Sequence, residues 1–194
     1  VETISLGAQA RQIPVIMYHD AVRDGKRTVW YDVTESEFRQ QLEEIDRRGL
    51  KPITLRAFYD HLTGRAVAPE NAIVLTFDDN YQGFYDVAYP LLKARGWPSS
   101  MFVHTGFVGQ TTGKHPKMSY DTLRTLVKEG LVEIGSHTIS HPNDLSKLDP
   151  LKQEEELRKS KDDLERNLGS EIVDFAYPNG GNDAACQERT KIAG

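Results

Sequence analysis

The feature that most constrains this chain is the stretch at residues 72–79, AIVLTFDD. Ile73, Val74, Leu75 and Phe77 make an apolar run of the kind found in a strand buried on both faces of a parallel sheet. The run stops on two adjacent carboxylates, Asp78 and Asp79. In α/β architectures the loops beyond the strand ends form the crevice where ligands and catalytic groups collect. Two aspartates side by side on an apolar strand are costly unless something compensates them. A metal ion would do so, and SHTISH at 136–141 offers His137 and His141 after a second apolar strand.

The rest of the chain alternates between the two periodicities. Strands are predicted at 13–18, 51–53, 99–104, 131–135 and 171–176, in addition to the central one. Helices are predicted at 35–48, 55–62, 81–95, 120–129, 150–168 and 183–192. Thr34 with Glu37 reads as a capping box, Phe38, Leu42 and Ile45 share one helical face, and Gly49 stops that helix. Such alternation predicts an α/β fold, a sheet of parallel strands with outer helices. Six strands are too few for a closed barrel. The expectation is therefore an incomplete (β/α) barrel, or a chain cut short after its last helix. Residues 1–12 read as a loose N-terminal arm and 13–194 as one domain. Two long loops, 21–34 and 105–118, interrupt the pattern, and long loops in compact domains are often functional.

Composition narrows the classes. A length of 194 residues suits one domain with a real core. A net charge of −5 without a basic stripe argues against a nucleic-acid partner. No apolar run is long enough for an integral membrane segment, and no signal-peptide pattern opens the chain. Cys186 is the single cysteine, which excludes an intrachain disulfide.

Asp79, His137 and His141 together make a one-carboxylate, two-imidazole set, and three protein ligands with one open position is the arrangement of catalytic zinc. Zinc is the default divalent ion, although cobalt, nickel or iron would suit the same ligands. Asp78, beside a ligand but free itself, is the candidate general base for activating water.

TFDD at 76–79, HTISH at 137–141 and YP-x-G at 177–180 resemble the first three motifs of the polysaccharide deacetylases of carbohydrate esterase family four, the NodB-homology domain. The resemblance extends from about residue 13 to about residue 181. It implies a distorted (β/α) barrel, an N-deacetylase activity, Asp79, His137 and His141 on the metal, and Asp78 as base. It also implies that the Tyr177 backbone N–H faces the oxyanion, with Pro178 and Gly180 shaping the loop and Asn179 contacting substrate. The chain departs from the family pattern at Asp174, where an arginine that positions the base usually stands. The fourth motif is not found, and no C-terminal strand ends in the histidine of the fifth. VIMYHD at 15–20 matches that fifth motif instead, with Met17 and His19 in its Leu-x-His positions. This permuted order resembles the branch that de-N-acetylates poly-β-1,6-N-acetylglucosamine. By that resemblance Met17 lines the acetyl-methyl pocket and His19 is the general acid. The partner is an N-acetylglucosamine polysaccharide, and the location is extracellular, cell surface or periplasm.

Other residues carry weaker signals. His104 ends a strand on the same rim and reads equally as structural or as part of the site, while His61 and His115 read as solvated. Trp30 and Tyr81, in loop positions, are the best sugar-stacking candidates among Trp30, Tyr31, Tyr81 and Trp97. The run 152–166 reads as a solvated helix face with pairs such as Glu154–Arg158. Two further functional readings remain. One is a non-catalytic carbohydrate-binding module on a deacetylase scaffold. The other is deacetylation of peptidoglycan or chitin oligomers. Phosphoester hydrolysis would call for clustered Arg or Lys, and none stands near the motifs.

Overall fold

A computed structural model of the chain describes residues 12–194. Most of the arm read at 1–12 lies outside the described residues. The central strand β5 (Ala72–Asp78) is buried at every position, as its apolar run requires. It pairs in parallel with β1 (Val15–Tyr18), β4 (Lys51–Ile53) and β6 (Ser99–Val103). β6 pairs in turn with β7 (Val132–Ser136), again in parallel. The register sets Tyr18 beside Phe77 and Asp78 beside Phe102, so the strand C-termini share one rim. Inside the loop 21–34 a short parallel pair, β2 (Ala21–Val22) and β3 (Val33–Thr34), folds the loop back on itself.

Helices α1 (Glu35–Arg47), α2 (Leu55–Leu62), α4 (Tyr120–Glu129) and α5 (Pro150–Leu168) form over the predicted spans to within one residue. The Thr34–Glu37 capping box is made in both directions. Gly130 and Gly169 end α4 and α5 in the left-handed conformation that only glycine adopts at little cost. The core between sheet and helices is built on Phe38, Leu42, Phe77, Phe84, Leu92, Met101, Leu123 and Leu126, all fully buried. α6 (Ala184–Ala193) packs against α5.

Two expectations need correction. The helix predicted over 81–95 forms from residue 82, but it is not a regular α-helix: a π-helical turn spans Phe84–Ala88 before α3 (Tyr89–Lys93) follows. Pro90 is the cause, because its missing N–H breaks the ordinary ladder, and the Tyr89 N–H reaches back to the Phe84 carbonyl instead. The strand predicted at 171–176 is reduced to one bridge, Ser136 with Phe175. The segment meets β7 only at its end, through Ser136 N–H to the Asp174 carbonyl at 2.8 Å and Ala176 N–H to the Ser136 carbonyl at 3.0 Å. The sheet is an open, barrel-like α/β arrangement, with no closed ring among the described residues. No described helix is long and apolar enough to cross a membrane.

Candidate active site and metal centre

At the rim, the ends of β1, β5, β6 and β7 deliver His19, Asp78 with Asp79, His104 and His137 to one cavity of about 840 Å³. His141, Met17, Trp30, Tyr31, Tyr81, Lys117, Tyr177 and Asn179 also line it. Residues 12–34 and 76–180 thus meet despite their sequence distance, because parallel strands place all their C-terminal ends on one side.

Asp79 Oδ1 is buried and has no hydrogen-bond partner among the described residues. Nε2 of His137 lies 3.6 Å from it and Nε2 of His141 3.5 Å. These contacts are too long for good hydrogen bonds. They match the spacing of roughly 3.3 Å between two ligands each ~2.0–2.1 Å from one tetrahedral ion. Asp79, His137 and His141 offer donor atoms that all lie within 4.8 Å of one another, so the residues present fit a divalent metal. His137 Nδ1 lies 2.9 Å from the Ala176 carbonyl and donates to it, which leaves Nε2 as the free lone pair.

The backbone here is held in unfavourable conformations. Asp79 (φ 72°), Asn80 (φ 41°), Thr138 (φ 68°), His141 (φ 52°) and Asn179 (φ 52°) are the non-glycine residues with positive φ among those described, and all cluster at this rim. Such strain persists only where surroundings over-determine it. Glu156 of α5 supplies that constraint for the His137–His141 loop. Its carboxylate accepts from the N–H groups of Ile139 (2.8 Å) and Ser140 (2.9 Å) and from the Ser140 hydroxyl (2.6 Å). The solvated-face reading of 152–166 is therefore corrected: Gln153, Glu156 and Ser160 are buried, while Glu154–Arg158 remains an exposed pair.

The charges divide sharply. Burial, followed by the charge of Asp79, pushes the Asp78 carboxyl up to about 7. Burial would raise Asp79 as well, but His104, Lys117, His137 and His141 outweigh it and hold that carboxyl below its usual value. Burial also holds His104 at about 3, His137 at about 4 and Lys117 at about 8. Burial lowers His19 too, against the opposing pull of Asp79.

Some expected residues take other roles. Tyr81 is 6% exposed, its ring lies under the Lys117 ammonium at 3.3 Å, and it stacks on Tyr31 at 6.5 Å. It therefore supports its neighbours and offers no free face for a sugar. Trp30, at 90% exposure, stands edge-on to Tyr31 at the cavity mouth, and Met17 is exposed beside it. Trp97 lies under Arg95 and does not reach the cavity. The Tyr177 hydroxyl bonds Thr190 at 2.8 Å, so that side chain is anchored away from the cavity, while its backbone N–H has no partner among the described residues. Asn179 donates to the Asn143 carbonyl at 3.4 Å. Burial raises the Asp174 carboxyl, Glu133 adds to the rise and Arg56 opposes it, and Asp174 is not among the residues that line the cavity.

His115 is not merely solvated. Its Nδ1 lies 2.8 Å from Asp20 Oδ2 and 3.7 Å from Asp32 Oδ1, and its Nε2 2.7 Å from the Thr28 hydroxyl. The cluster clasps loop 105–118 to loop 21–34 below the Tyr31–Tyr81 pair. His61 accepts from the Ala68 N–H at 3.3 Å and is partly buried. Lys117, which sequence reasoning missed, donates to the Asp79 carbonyl at 2.9 Å. A lysine after Pro116 in a polar loop gives no local signal, and only the fold brings it to Asp79.

The family described as polysaccharide deacetylase matches residues 65–194. The poly-β-1,6-N-acetyl-D-glucosamine N-deacetylase of Staphylococcus aureus is 31% identical over 160 residues, covering 77% of this chain and 54% of the relative. Across the first curated relatives the chain spans between 20% and 57% of their lengths. The structure of IcaB from Ammonifex degensii superposes with a TM-score of 0.84 at 29% identity, over 94% of this chain and 80% of that one. The Streptococcus pyogenes deacetylase PplD, solved in complex with acetate, superposes at 0.82 with 27% identity, over 93% and 80%. The match over 65–194 takes in every strand end that carries Asp78, Asp79, His104 and His137, and this chain belongs to the polysaccharide deacetylase family.

Proposed function

We propose that this chain is a metal-dependent hydrolase that removes N-acetyl groups from N-acetylglucosamine units of a polysaccharide, with poly-β-1,6-N-acetylglucosamine as the substrate. One observation carries the reading: the Asp79, His137 and His141 donor atoms converge beside a second carboxylate, Asp78, that has no side-chain partner among the described residues, in a cavity that His19 also lines. A binding module has no need of a free carboxylate next to an open metal set. The substrate assignment is supported by the Staphylococcus aureus relative and by the position of Met17 on β1 and of His19 just after it, both lining the cavity.

When bound, a divalent cation, zinc by default, polarises the acetyl carbonyl and acidifies water. This chain's residues do the rest. Asp78 takes the proton from the attacking water as it adds to the acetyl carbon. The Tyr177 N–H donates to the oxygen that becomes negative. His19 gives its proton to the sugar nitrogen as the C–N bond breaks, releasing acetate and a free amine. Met17 flanks the acetyl methyl group, Trp30 stacks on a neighbouring sugar at the open mouth, and Asn179 borders the same loop. Such a polymer lies outside the cytoplasm, so we place the activity in the extracellular space, at the cell surface or in the periplasm.

The test is product analysis by mass spectrometry on three oligomer classes: poly-β-1,6-N-acetylglucosamine, chitin and peptidoglycan fragments. The expected result is amine-bearing product from the β-1,6 oligomers at the highest rate. Turnover of chitin or peptidoglycan fragments alone would reassign the substrate, and no turnover of any would return the chain to a binding role.

A further inference from the structure

Three imidazoles converge on the buried oxygen of Asp79. His104 Nε2 stands 3.5 Å from Oδ1, at the same range as the Nε2 atoms of His137 and His141. Yet His104 does not join the set of donor atoms that lie within 4.8 Å of one another. It therefore reaches the oxygen from a different side than the two ligand imidazoles. A carboxylate oxygen has two lone pairs, and one given to an ion leaves the other for a hydrogen-bond donor.

We propose that His104 is the positioning residue for the metal-ligating carboxylate: its Nε2–H donates to Asp79 Oδ1 and holds that oxygen toward His137 and His141. The inference rests on the reading of Asp79, His137 and His141 as the metal set.

Four observations support it. His104 directly follows β6, and the Asp79 N–H bonds the Phe102 carbonyl at 3.0 Å, so backbone pairing fixes the two residues relative to each other. His104 is 4% exposed, with its ring edge-on to Phe107 at 4.7 Å and to His141 at 5.8 Å, so little room remains for another orientation. Its Nδ1 is buried without a partner among the described residues, which makes a proton there an unpaired donor, whereas a proton on Nε2 faces a carboxylate. Lys117, the cation at this site, bonds the Asp79 main-chain carbonyl and leaves Oδ1 to the imidazoles. At 3.5 Å the His104 contact is longer than a made hydrogen bond, and a movement of about half an ångström closes it.

The test compares a donor with a non-donor of similar bulk at this position. His104→Gln keeps an N–H within reach of Oδ1; His104→Leu fills the space without one. Zinc dissociation constants of wild type and both variants are measured by competition with a chromophoric chelator, with circular dichroism as a check on folding. Removing an outer partner of a metal ligand weakens affinity by roughly 10–100-fold. The expected result is that His104→Leu weakens zinc binding by that factor while still taking up one ion per chain, and that His104→Gln recovers most of the affinity. Equal, wild-type-like binding by both variants overturns the positioning role. Equal, severe loss in both also overturns it, by making His104 a ligand in its own right. A wild-type protein that binds no zinc overturns the metal reading itself, an outcome distinct from either.

Discussion

Asp78 and Asp79 adjoin on one strand end yet are held in opposite directions, Asp78 raised to about 7 and Asp79 below the usual carboxylate value. Burial acts on both, but His104, Lys117, His137 and His141 act on Asp79 alone. That asymmetry divides their labour. Asp78→Asn should keep zinc and lose at least ~10²-fold in turnover, the usual size of a general-base contribution. Asp79→Asn should lose zinc. Metal analysis and initial rates on both proteins check this, and zinc lost from Asp78→Asn but kept by Asp79→Asn would exchange the two roles.

Glu156 holds the strained His137–His141 loop from a different element, with three hydrogen bonds to residues 139 and 140. Glu156→Ala leaves two backbone N–H groups unpaired and should cost about 2–3 kcal/mol of stability. It should also weaken zinc binding by roughly 10-fold or more through His141. Urea unfolding and a zinc titration check both effects. Unchanged values in both would mean that the loop is self-supporting.

Loss of His19 should separate two substrates. An amide's leaving amine must be protonated, whereas the leaving group of an activated acetyl ester needs no proton. His19→Ala should therefore cut turnover of N-acetylglucosamine oligomers by ~10² or more and spare the activated ester. Equal losses on both, measured on one preparation, would falsify the general-acid assignment.

Asp174 offers a pH signature away from the metal. Burial, followed by the charge of Glu133, raises its carboxyl above the ordinary 3.8, while Arg56 pulls the other way. The folded state then holds the proton more tightly than the unfolded chain. Its favourable contribution is full below the unfolded value and is lost as pH rises through the folded one. Asp174→Asn should therefore be more stable than wild type at pH 7.5, by a margin that shrinks toward pH 4. Chemical denaturation at the two pH values measures it, and a margin that grows on acidification would contradict the assignment.

Much of this was readable from the chain because the signals were local. Ile73–Phe77 announced a doubly buried strand, Thr34 and Glu37 announced a cap, and the two acidic and two imidazole residues sat at strand ends. What escaped was set by contacts distant in sequence. Glu156 looks like any exposed helix glutamate until α5 is laid against the loop it braces. Lys117 and His115 lie in a loop with no periodicity and acquire partners only when loop 105–118 folds over the rim. The segment 171–176 has strand composition, but β7 offers it a partner only at Ser136. Pro90 was visible, but its consequence, a π-helical turn that re-routes one hydrogen bond, depends on the packing around Phe84.

The central claim is that Asp79, His137 and His141 hold the ion on which deacetylation depends. The most direct measurement is acetate release from a poly-β-1,6-N-acetylglucosamine oligomer by three preparations of the wild-type chain: as purified, stripped by chelator, and stripped then given one equivalent of zinc. The account predicts that stripping abolishes release and that one equivalent restores it, with no restoration for Asp79→Asn. Undiminished acetate release from protein verified to be metal-free would contradict it.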